Sequence, residues 1–96
     1  MLVQKNTFVP KRGQRDRVVE LLKKAEAFVP FKVSYRILIP SIGPFDVVVD
    51  ELEFKDFTEY DKFWAGFFEK VPESFWQEWN DATENGGSNE VWQIAE

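Results

Sequence analysis

Residues 32–54 read KVSYRILIPSIGPFDVVVDELEF, two apolar runs on either side of a turn. In the first run, residues 32–39, apolar and polar side chains alternate, which is typical of a half-buried strand. Two prolines and a glycine within residues 40–44 predict the turn. The second run, residues 45–54, predicts another strand. The centre of the chain is therefore expected to be a β-hairpin.

The apolar side chains of the second predicted strand change parity midway along it. Val49 lies at an odd position, whereas Leu52 and Phe54 lie at even positions. Because successive side chains of a strand point to opposite faces, one extra residue is needed to bring both sets to the same face. We therefore expect a β-bulge near Asp50 and Glu51.

A strand and a helix are expected before this hairpin. Residues 2–9 are rich in β-forming side chains and predict a strand. Apolar residues then recur at three- and four-residue steps over residues 18–29, which predicts a helix. Gly13 marks the opening of this helix, and Pro30 is expected to end it.

A longer helical region and a last strand are expected after the hairpin. An aromatic stripe at helical spacing runs over residues 57–82. Pro72 interrupts the stripe and is expected at the first position of a new helical segment. Residues 85–87, Asn-Gly-Gly, predict the C-terminal stop of this helix. Residues 89–95 then predict the final strand.

The order β-α-β-β-α-β is the ferredoxin-like, split βαβ pattern of an α+β domain. It predicts one four-stranded antiparallel sheet with two helices on one face, in a single domain that spans residues 1–96. The run Val47-Val48-Val49 has no polar side, so the face without helices is expected to be too apolar for water. A homodimer that packs sheet against sheet follows as the simplest hypothesis.

Composition excludes several classes of protein. The chain has 96 residues, with 12 Lys and Arg against 17 Asp and Glu, and it contains neither Cys nor His. A net charge of −5 is unlike the basic footprint of a nucleic-acid-binding protein, so no nucleic-acid partner is expected. Without Cys and His there are no disulfides, no thiol catalysis, no His-based triad and no Cys/His metal site. We expect neither a metal nor a cofactor.

The sequence also predicts where the protein resides. It has no run of about 20 apolar residues, so no membrane span is expected. The first six residues lack the basic and apolar regions of a signal peptide. The absence of Cys fits a reducing compartment, and we expect a cytoplasmic location.

Charge is unevenly distributed along the chain. Residues 1–45 carry nine basic and three acidic side chains, whereas residues 46–96 carry three basic and fourteen acidic ones. In the predicted fold the two helices lie side by side, so a basic first helix would complement an acidic second helical region. Each exposed ion pair stabilises by only ~0.2–1 kcal/mol, but the sign pattern favours correct docking of the helices.

Five short segments carry a resemblance to a known superfamily: Pro10–Gly13, Tyr35–Ile37, Ile42–Phe45, Leu52–Phe57 and Tyr60–Trp64. Their order resembles the dimeric α/β-barrel superfamily, and most closely its NIPSNAP-like and antibiotic-biosynthesis-monooxygenase-like small domains. The resemblance implies that two sheets close into a barrel at a dimer interface. It also implies a pocket between sheet and helices or inside the barrel. The axial His of the haem-binding members has no counterpart in this chain.

Six residues are candidates for lining a ligand pocket: Asn6, Tyr35, Arg36, Asp50, Trp64 and Trp92. In the cofactor-free monooxygenases that the chain resembles, an Asn, a Trp and a Tyr-like group bind an aromatic substrate. Asn6, Tyr35 and Trp92 are of these types, although a buried Tyr or Trp is more often a core residue with one hydrogen bond. Trp64 belongs to the aromatic stripe. Its helical spacing favours a packed core, while the break at Pro72 could open a gap for a flat apolar ligand.

The two charged candidates each have an alternative interpretation. Asp50 and Asp46 could share a proton or act as acid and base, although a solvated strand end is the more ordinary interpretation. Arg36 could clamp a carboxylate or a phosphate. A cross-strand pair with Asp50 or Glu51 is favoured for Arg36.

Two hypotheses for function follow. The first is a NIPSNAP-like domain that binds a small apolar or aromatic molecule, with no assigned chemistry. The alternative is a cofactor-independent monooxygenase or isomerase that acts on a small aromatic or polyketide-like compound. Two or more convergent polar groups with perturbed pKa values in a pocket would favour an enzyme, whereas a filled barrel would favour a binding or structural role.

Overall fold

The computed structural model describes residues 1–29 and 32–96. Its elements are β1 (Leu2–Pro10), α1 (Arg15–Glu26), β2 (Ser34–Leu38), β3 (Val48–Phe54), α2 (Phe57–Lys70), α3 (Glu73–Ala82) and β4 (Thr83–Gln93). The four strands form one antiparallel sheet in the order β2-β3-β1-β4, and the helices cover one face. This architecture confirms the predicted ferredoxin-like α+β fold. None of the helices in the described ranges has the length and apolar character that crossing a bilayer requires.

The core lies between the sheet and the helices. The predicted apolar stripe of α1 is buried against the sheet: Val18, Leu21, Leu22 and Ala25. From β3, Phe54 is fully buried in the same core. Burial of apolar surface stabilises by about 25 cal/mol per Å², so this contact holds the helix on the sheet. The helix ends at Glu26, and Pro30, which was expected to end it, lies outside the described residues.

Pro72 divides the aromatic helical region into α2 and α3. The side chain of Asp56 accepts a hydrogen bond from the backbone N–H of Glu59 at 2.9 Å and so caps α2. Pro72 was predicted at the first helical position of α3. It has a ψ of 154° and is instead the N-cap residue, so the helix begins one residue later, at Glu73. Because Val71 and Pro72 are both extended, α3 does not continue the axis of α2.

The helices also pair by charge, as the uneven distribution of Lys, Arg, Asp and Glu predicts. Arg17 of α1 donates a hydrogen bond to Glu78 of α3 at 3.0 Å. Lys24 of α1 lies 3.8 Å from the other oxygen of the same carboxylate. The basic first helix therefore contacts the acidic helical region through a shared acidic residue.

The bulge expected in the third strand is absent, and that prediction was wrong. β3 pairs in continuous register with β1 and with β2, including Asp50 opposite Asn6 and opposite Ile37. Every second residue of β3 faces the helices, so Asp50 occupies an inward position between Val48 and Leu52. The change of parity arises because a polar residue stands where an apolar one was expected. The predicted start of the strand was also too early, since Phe45 is 94% exposed.

The Asn-Gly-Gly segment does not stop a helix, and that prediction was wrong as well. α3 passes directly into β4 at Thr83, and residues 85–87 lie within the strand. There the register between β1 and β4 shifts, so β4 contains the irregularity that was expected in β3. Gly87 has a φ of 83°, and a Cβ at this position would overlap the carbonyl oxygen of Thr7. Glycine is therefore required at position 87.

The sheet face without helices, called the outer face below, carries both apolar and charged side chains. A row of four charged residues crosses it through neighbouring register positions: Arg36, Glu51, Lys5 and Glu90. The Nε of Arg36 donates a hydrogen bond to Glu51 at 2.7 Å. Apolar side chains flank the row, including Leu38 at 40% and Trp92 at 59% exposure. Val48 faces inward, so only part of the valine run reaches the outer face.

Candidate functional site

A cleft of about 640 Å³ lies between the helix-covered face of the sheet and helices α2 and α3. Its wall on the helix side is rich in aromatic residues: Phe63, Trp64, Phe67, Phe68, Trp76 and Trp79. Clefts of this size and composition are typical of sites for small organic molecules.

The interruption at Pro72 explains how so many rings form a wall. Rings of α2 and α3 meet across the break, with Phe67 and Trp76 edge to face at 5.8 Å between centroids. Phe68 stacks on Trp76 at 6.1 Å and 17°. The Phe68 side chain is 65% exposed and forms part of the rim. Such contacts stabilise by roughly 0.5–1.5 kcal/mol each beyond area burial, so the wall is held in place by its own packing.

Polar side chains from three strands form the floor of the cleft. Asp50 of β3 is 5% exposed and receives two hydrogen bonds. The Nδ2 of Asn6 on β1 donates to Asp50 Oδ1 at 2.9 Å, and the hydroxyl of Tyr35 on β2 donates to Asp50 Oδ2 at 2.9 Å. All three residues line the cleft, because register places them at adjacent inward positions.

A second set of hydrogen bonds joins this floor to α2. The Nε1 of Trp64 donates to Gln4 Oε1 at 2.7 Å. The Nε2 of Gln4 lies 3.3 Å from Asn6 Oδ1 and 3.3 Å from Asn89 Oδ1. No buried side-chain nitrogen or oxygen within the described residues lacks a hydrogen-bond partner. The network therefore fixes the rotamers of the floor before any ligand enters.

Burial changes the protonation behaviour of the Asp50–Tyr35 pair. Removal from water raises the pKa of Asp50 to about 6, although the hydrogen bonds from Asn6 and Tyr35 lower it in part. Burial also raises the pKa of Tyr35, and the charge of Asp50 raises it further. Asp50 therefore gains or loses a proton near neutral pH, while Tyr35 stays protonated and donates to it.

A charged pair borders the cleft near β2. Lys32 Nζ lies 3.3 Å from Glu26 Oε1, and it donates to the carbonyl oxygen of Val29 at 3.1 Å. The same nitrogen lies over the rings of Tyr35 and Phe63, at 6.0 and 5.9 Å from their centroids. The Lys32 side chain is only 9% exposed, so this ammonium group is held by the protein and not by solvent.

Four of the six residues predicted to line a pocket come together in the cleft: Asn6, Tyr35, Asp50 and Trp64. Arg36 and Trp92 do not line this cleft. Arg36 has the opposite parity to Tyr35, so it lies on the outer face and pairs with Glu51. Trp92 lies opposite Val3, which places it on the outer face as well.

The acid–base pair of Asp46 and Asp50 does not form. Asp46 is exposed in the turn before β3, with a φ of 47°, while Asp50 is buried. Within residues 1–29 and 32–96, no group of three acidic side chains is placed to hold a metal ion.

Sequence reasoning missed Gln4, Asn89 and Lys32. Gln4 is 1% exposed, and its even spacing between Leu2 and Asn6 is the signal that places it inward. Asn89 was not foreseen because its side chain is brought to Gln4 only by the pairing of β4 with β1. Lys32 is a residue type that is mostly exposed, and nothing local to it indicates burial.

Comparisons with known proteins place this fold among known structures. No family model matches the chain, and no curated protein matches it by sequence. A NIPSNAP family protein of unknown function from Agrobacterium tumefaciens superimposes with a TM-score of 0.77 at 19% identity, covering 99% of this chain and 88% of that one. SnoaB, a cofactor-independent oxygenase from Streptomyces nogalater, gives 0.73 at 13% identity, covering 99% and 93%.

A further solved structure, described as an antibiotic biosynthesis monooxygenase, gives a TM-score of 0.70 at 18% identity and covers all of both chains. At these identities the likeness concerns the fold. The resemblance predicted from the sequence is therefore confirmed at the level of the fold, which is that of NIPSNAP and antibiotic-biosynthesis-monooxygenase-like domains. Proteins with this fold differ in activity, so function has to be argued from the cleft.

Proposed function

We propose that this protein binds a small aromatic molecule in the cleft between the sheet and helices α2 and α3. The observation that carries the proposal is one buried carboxylate, Asp50, at the floor of a cleft of about 640 Å³ whose wall is aromatic. The rings supply apolar contact with a flat ligand. Asp50 supplies one directional acceptor for a polar hydrogen of the ligand.

The hydrogen bonds of the floor support this assignment. Each carboxylate oxygen of Asp50 accepts one hydrogen bond, from Asn6 or from Tyr35, and retains further acceptor capacity. Trp64 is held by Gln4, so a ring of the wall has a fixed orientation relative to the floor. A site arranged in this way before binding loses little conformational entropy when a ligand enters.

Tryptophan fluorescence tests the proposal. Three tryptophans line the cleft, whereas Trp92 is on the outer face. Titration with 1-naphthol should quench the emission of the Trp92→Phe variant as it does that of the unmodified protein. The Trp64→Phe variant should lose part of the response. No saturable change, or a change that disappears with Trp92→Phe, would reject the cleft as the site.

A second candidate function is proton transfer, as in a cofactor-independent isomerase or monooxygenase. The comparisons do not favour it, but one specific feature does: Asp50 has a pKa raised to about 6 and lies in the cleft beside Tyr35. As a base, Asp50 would take a proton from the carbon next to a carbonyl of the ligand and then return it.

Exchange of hydrogen for deuterium in 2-tetralone, an aromatic ketone, tests this second candidate. In D₂O the protein should accelerate exchange beside the carbonyl, and the Asp50→Asn variant should not. Oxygen consumption with anthrone would identify the monooxygenase form, in which a ring methylene and O₂ give a carbonyl and water. Exchange at the rate of buffer alone would leave ligand binding without catalysis.

We also propose that the chain forms a homodimer through the outer face. The row Arg36, Glu51, Lys5, Glu90 alternates in sign across the sheet. A two-fold axis parallel to the strands reverses the row. Arg36 would then face the partner's Glu90, and Glu51 would face the partner's Lys5. The row is therefore complementary to a second copy of itself, and the flanking apolar side chains would supply buried area.

Light scattering behind a sizing column tests the dimer. The unmodified protein should have twice the mass of the 11.3 kDa chain. The Lys5→Glu variant should shift toward the single-chain mass, and Lys11→Glu, an exposed lysine outside the row, should not. A single-chain mass for the unmodified protein at micromolar concentration would reject the dimer.

We also propose a cytoplasmic location, which the absence of Cys supports and cell fractionation tests.

A further inference from the structure

The charges that line the cleft do not balance. Its ionisable residues are Glu26, Lys32, Asp50 and the two tyrosines Tyr35 and Tyr60. Glu26 and Lys32 form an ion pair at 3.3 Å and offset each other. No ion pair among residues 1–29 and 32–96 involves Asp50. Above its pKa, Asp50 therefore leaves one uncompensated negative charge at the floor.

The hydrogen-bond partners of Asp50 do not neutralise its charge. Asn6 and Tyr35 are both neutral donors, so they satisfy the geometry of the carboxylate without neutralising it. A buried carboxylate is normally paired with a cation, because removing an isolated charge from water is costly. The missing cation can come from a ligand, since the carboxylate lies on the wall of the cleft.

The aromatic wall already accommodates an ammonium group. Lys32 Nζ lies over the faces of Tyr35 and Phe63, at 6.0 and 5.9 Å from the ring centroids. This is the distance range in which a cation is attracted by the negative face of an aromatic ring. Tryptophan is the best of the aromatic partners for a cation, and Trp64, Trp76 and Trp79 also line the cleft.

We propose that the ligand of this cleft is an organic cation, an amine carried on an aromatic or other flat apolar body. The inference rests on the proposed small-molecule site and specifies its ligand class. The ammonium donates to the free acceptor positions of Asp50, and the apolar body packs against the rings. Buried charge-assisted hydrogen bonds are about twice as strong as neutral ones, so charge should distinguish this ligand from a neutral isostere.

A matched set of three naphthalene compounds tests the ligand class. They carry a cationic, a neutral or an anionic group on the same ring: 1-naphthylmethylamine, 1-naphthalenemethanol and 1-naphthoate. Calorimetric titration of the unmodified protein is performed above the pKa of Asp50. The amine should bind about tenfold more tightly than the alcohol, and the carboxylate should bind least.

The outcomes separate this inference from the proposed function. If the alcohol binds as tightly as the amine, the ligand class is wrong and the small-molecule site stands. If 1-naphthoate binds most tightly, the class is also wrong, and Lys32 becomes the group that recognises the ligand. If none of the three binds, both the class and the site are rejected.

Two variants test whether Asp50 recognises the charge. Asp50→Asn should reduce the affinity for the amine about tenfold, and it should reduce the affinity for the alcohol less, because the amide oxygen of Asn still accepts a hydrogen bond from a neutral group. Glu53 lies on the same strand but faces outward, away from the cleft. Glu53→Gln also removes one negative charge, and it should leave both affinities unchanged. An Asp50→Asn protein that binds the amine normally overturns the role of Asp50. If that variant does not fold, the three compounds on the unmodified protein still decide the ligand class.

Discussion

The two faces of the sheet hold neighbouring carboxylates in opposite settings. Asp50 faces the helices, is 5% exposed and receives hydrogen bonds from two neutral groups. Glu51, the next residue, faces outward and pairs with the guanidinium of Arg36 at 2.7 Å. Parity along one strand therefore decides whether a carboxylate is part of a structural ion pair or a group that titrates in a cleft. Substitutions on the two faces test this contrast.

Aromatic residues should contribute very differently on the two faces. Phe54 is fully buried on the inner face, whereas Trp92 is 59% exposed on the outer face. Phe54→Ala should lower the free energy of unfolding by about 3–5 kcal/mol, because it removes a large buried side chain and leaves a cavity. In urea unfolding of the monomer, Trp92→Ala should cost less than about 1 kcal/mol. Equal losses would show that the outer face is as buried as the inner one.

Stability should fall with rising pH because of Asp50. Its pKa is about 6 in the folded state and 3.8 in the reference state, so the folded protein binds the extra proton between these values. The stabilisation by the neutral carboxyl is present below the lower pKa and is lost as the pH rises through about 6. The loss is about 3 kcal/mol in total.

Urea unfolding across this pH range, compared between variants, checks the pH dependence. Asp50→Asn should remove the slope, and it should stabilise the protein above the pKa of Asp50. Glu53→Gln, on the outer face, should leave the slope unchanged. Stability that instead rises with pH through this window would mean that the pKa of Asp50 is lowered, and that a cation compensates it in the folded protein.

Tyr35→Phe should act mainly through Asp50. The hydroxyl of Tyr35 donates to Asp50 at 2.9 Å, so its removal deprives a buried carboxylate of one of its two donors. We expect a loss of about 1–3 kcal/mol above the pKa of Asp50, and a smaller loss when the carboxyl is protonated. The pKa of Asp50, followed by NMR of its side-chain carbonyl carbon, should increase. Tyr60→Phe is the control, since Tyr60 packs on Phe54 through its ring, and it should leave that pKa unchanged.

The smallest effect is expected from the ion pair of the outer face. Arg36 is 69% exposed at its side chain, so solvent and salt screen its attraction to Glu51. Arg36→Ala should change the stability of the monomer by less than about 1 kcal/mol, and added salt should reduce the difference further. A loss as large as that of Tyr35→Phe would contradict the distinction between the two faces.

The order of the elements could be predicted from periodicity, because long apolar stripes in α1 and α2 and alternation in β2 are strong local signals. The buried environment of Asp50 could not be predicted from the sequence. A polar residue that faces inward looks, in a sequence, like a slip in the strand. The cause is tertiary: Asn6 and Tyr35 reach Asp50 from two other strands. Gln4 was missed for the same reason.

The role of the two glycines in β4 was also beyond local reasoning. A helix stop and a β-bulge both use glycine at positive φ, so Asn-Gly-Gly fits either one. Only the pairing with β1 distinguishes them, because it brings the backbone of Thr7 against Gly87. Arg36 and Trp92 lie on the face opposite the cleft, and which residue of a strand borders the cleft depends on register and not on residue type.

The irregularity in β4 also interrupts the exposed edge of the sheet. β4 lies at the edge of the sheet and is the longest strand, with 11 residues. A long regular edge strand exposes a row of unpaired N–H and C=O groups onto which another chain can add. The shift at residues 85–87 breaks that row in the middle, and β2 at the opposite edge has only five residues. Neither edge therefore offers a long template for uncontrolled growth of the sheet.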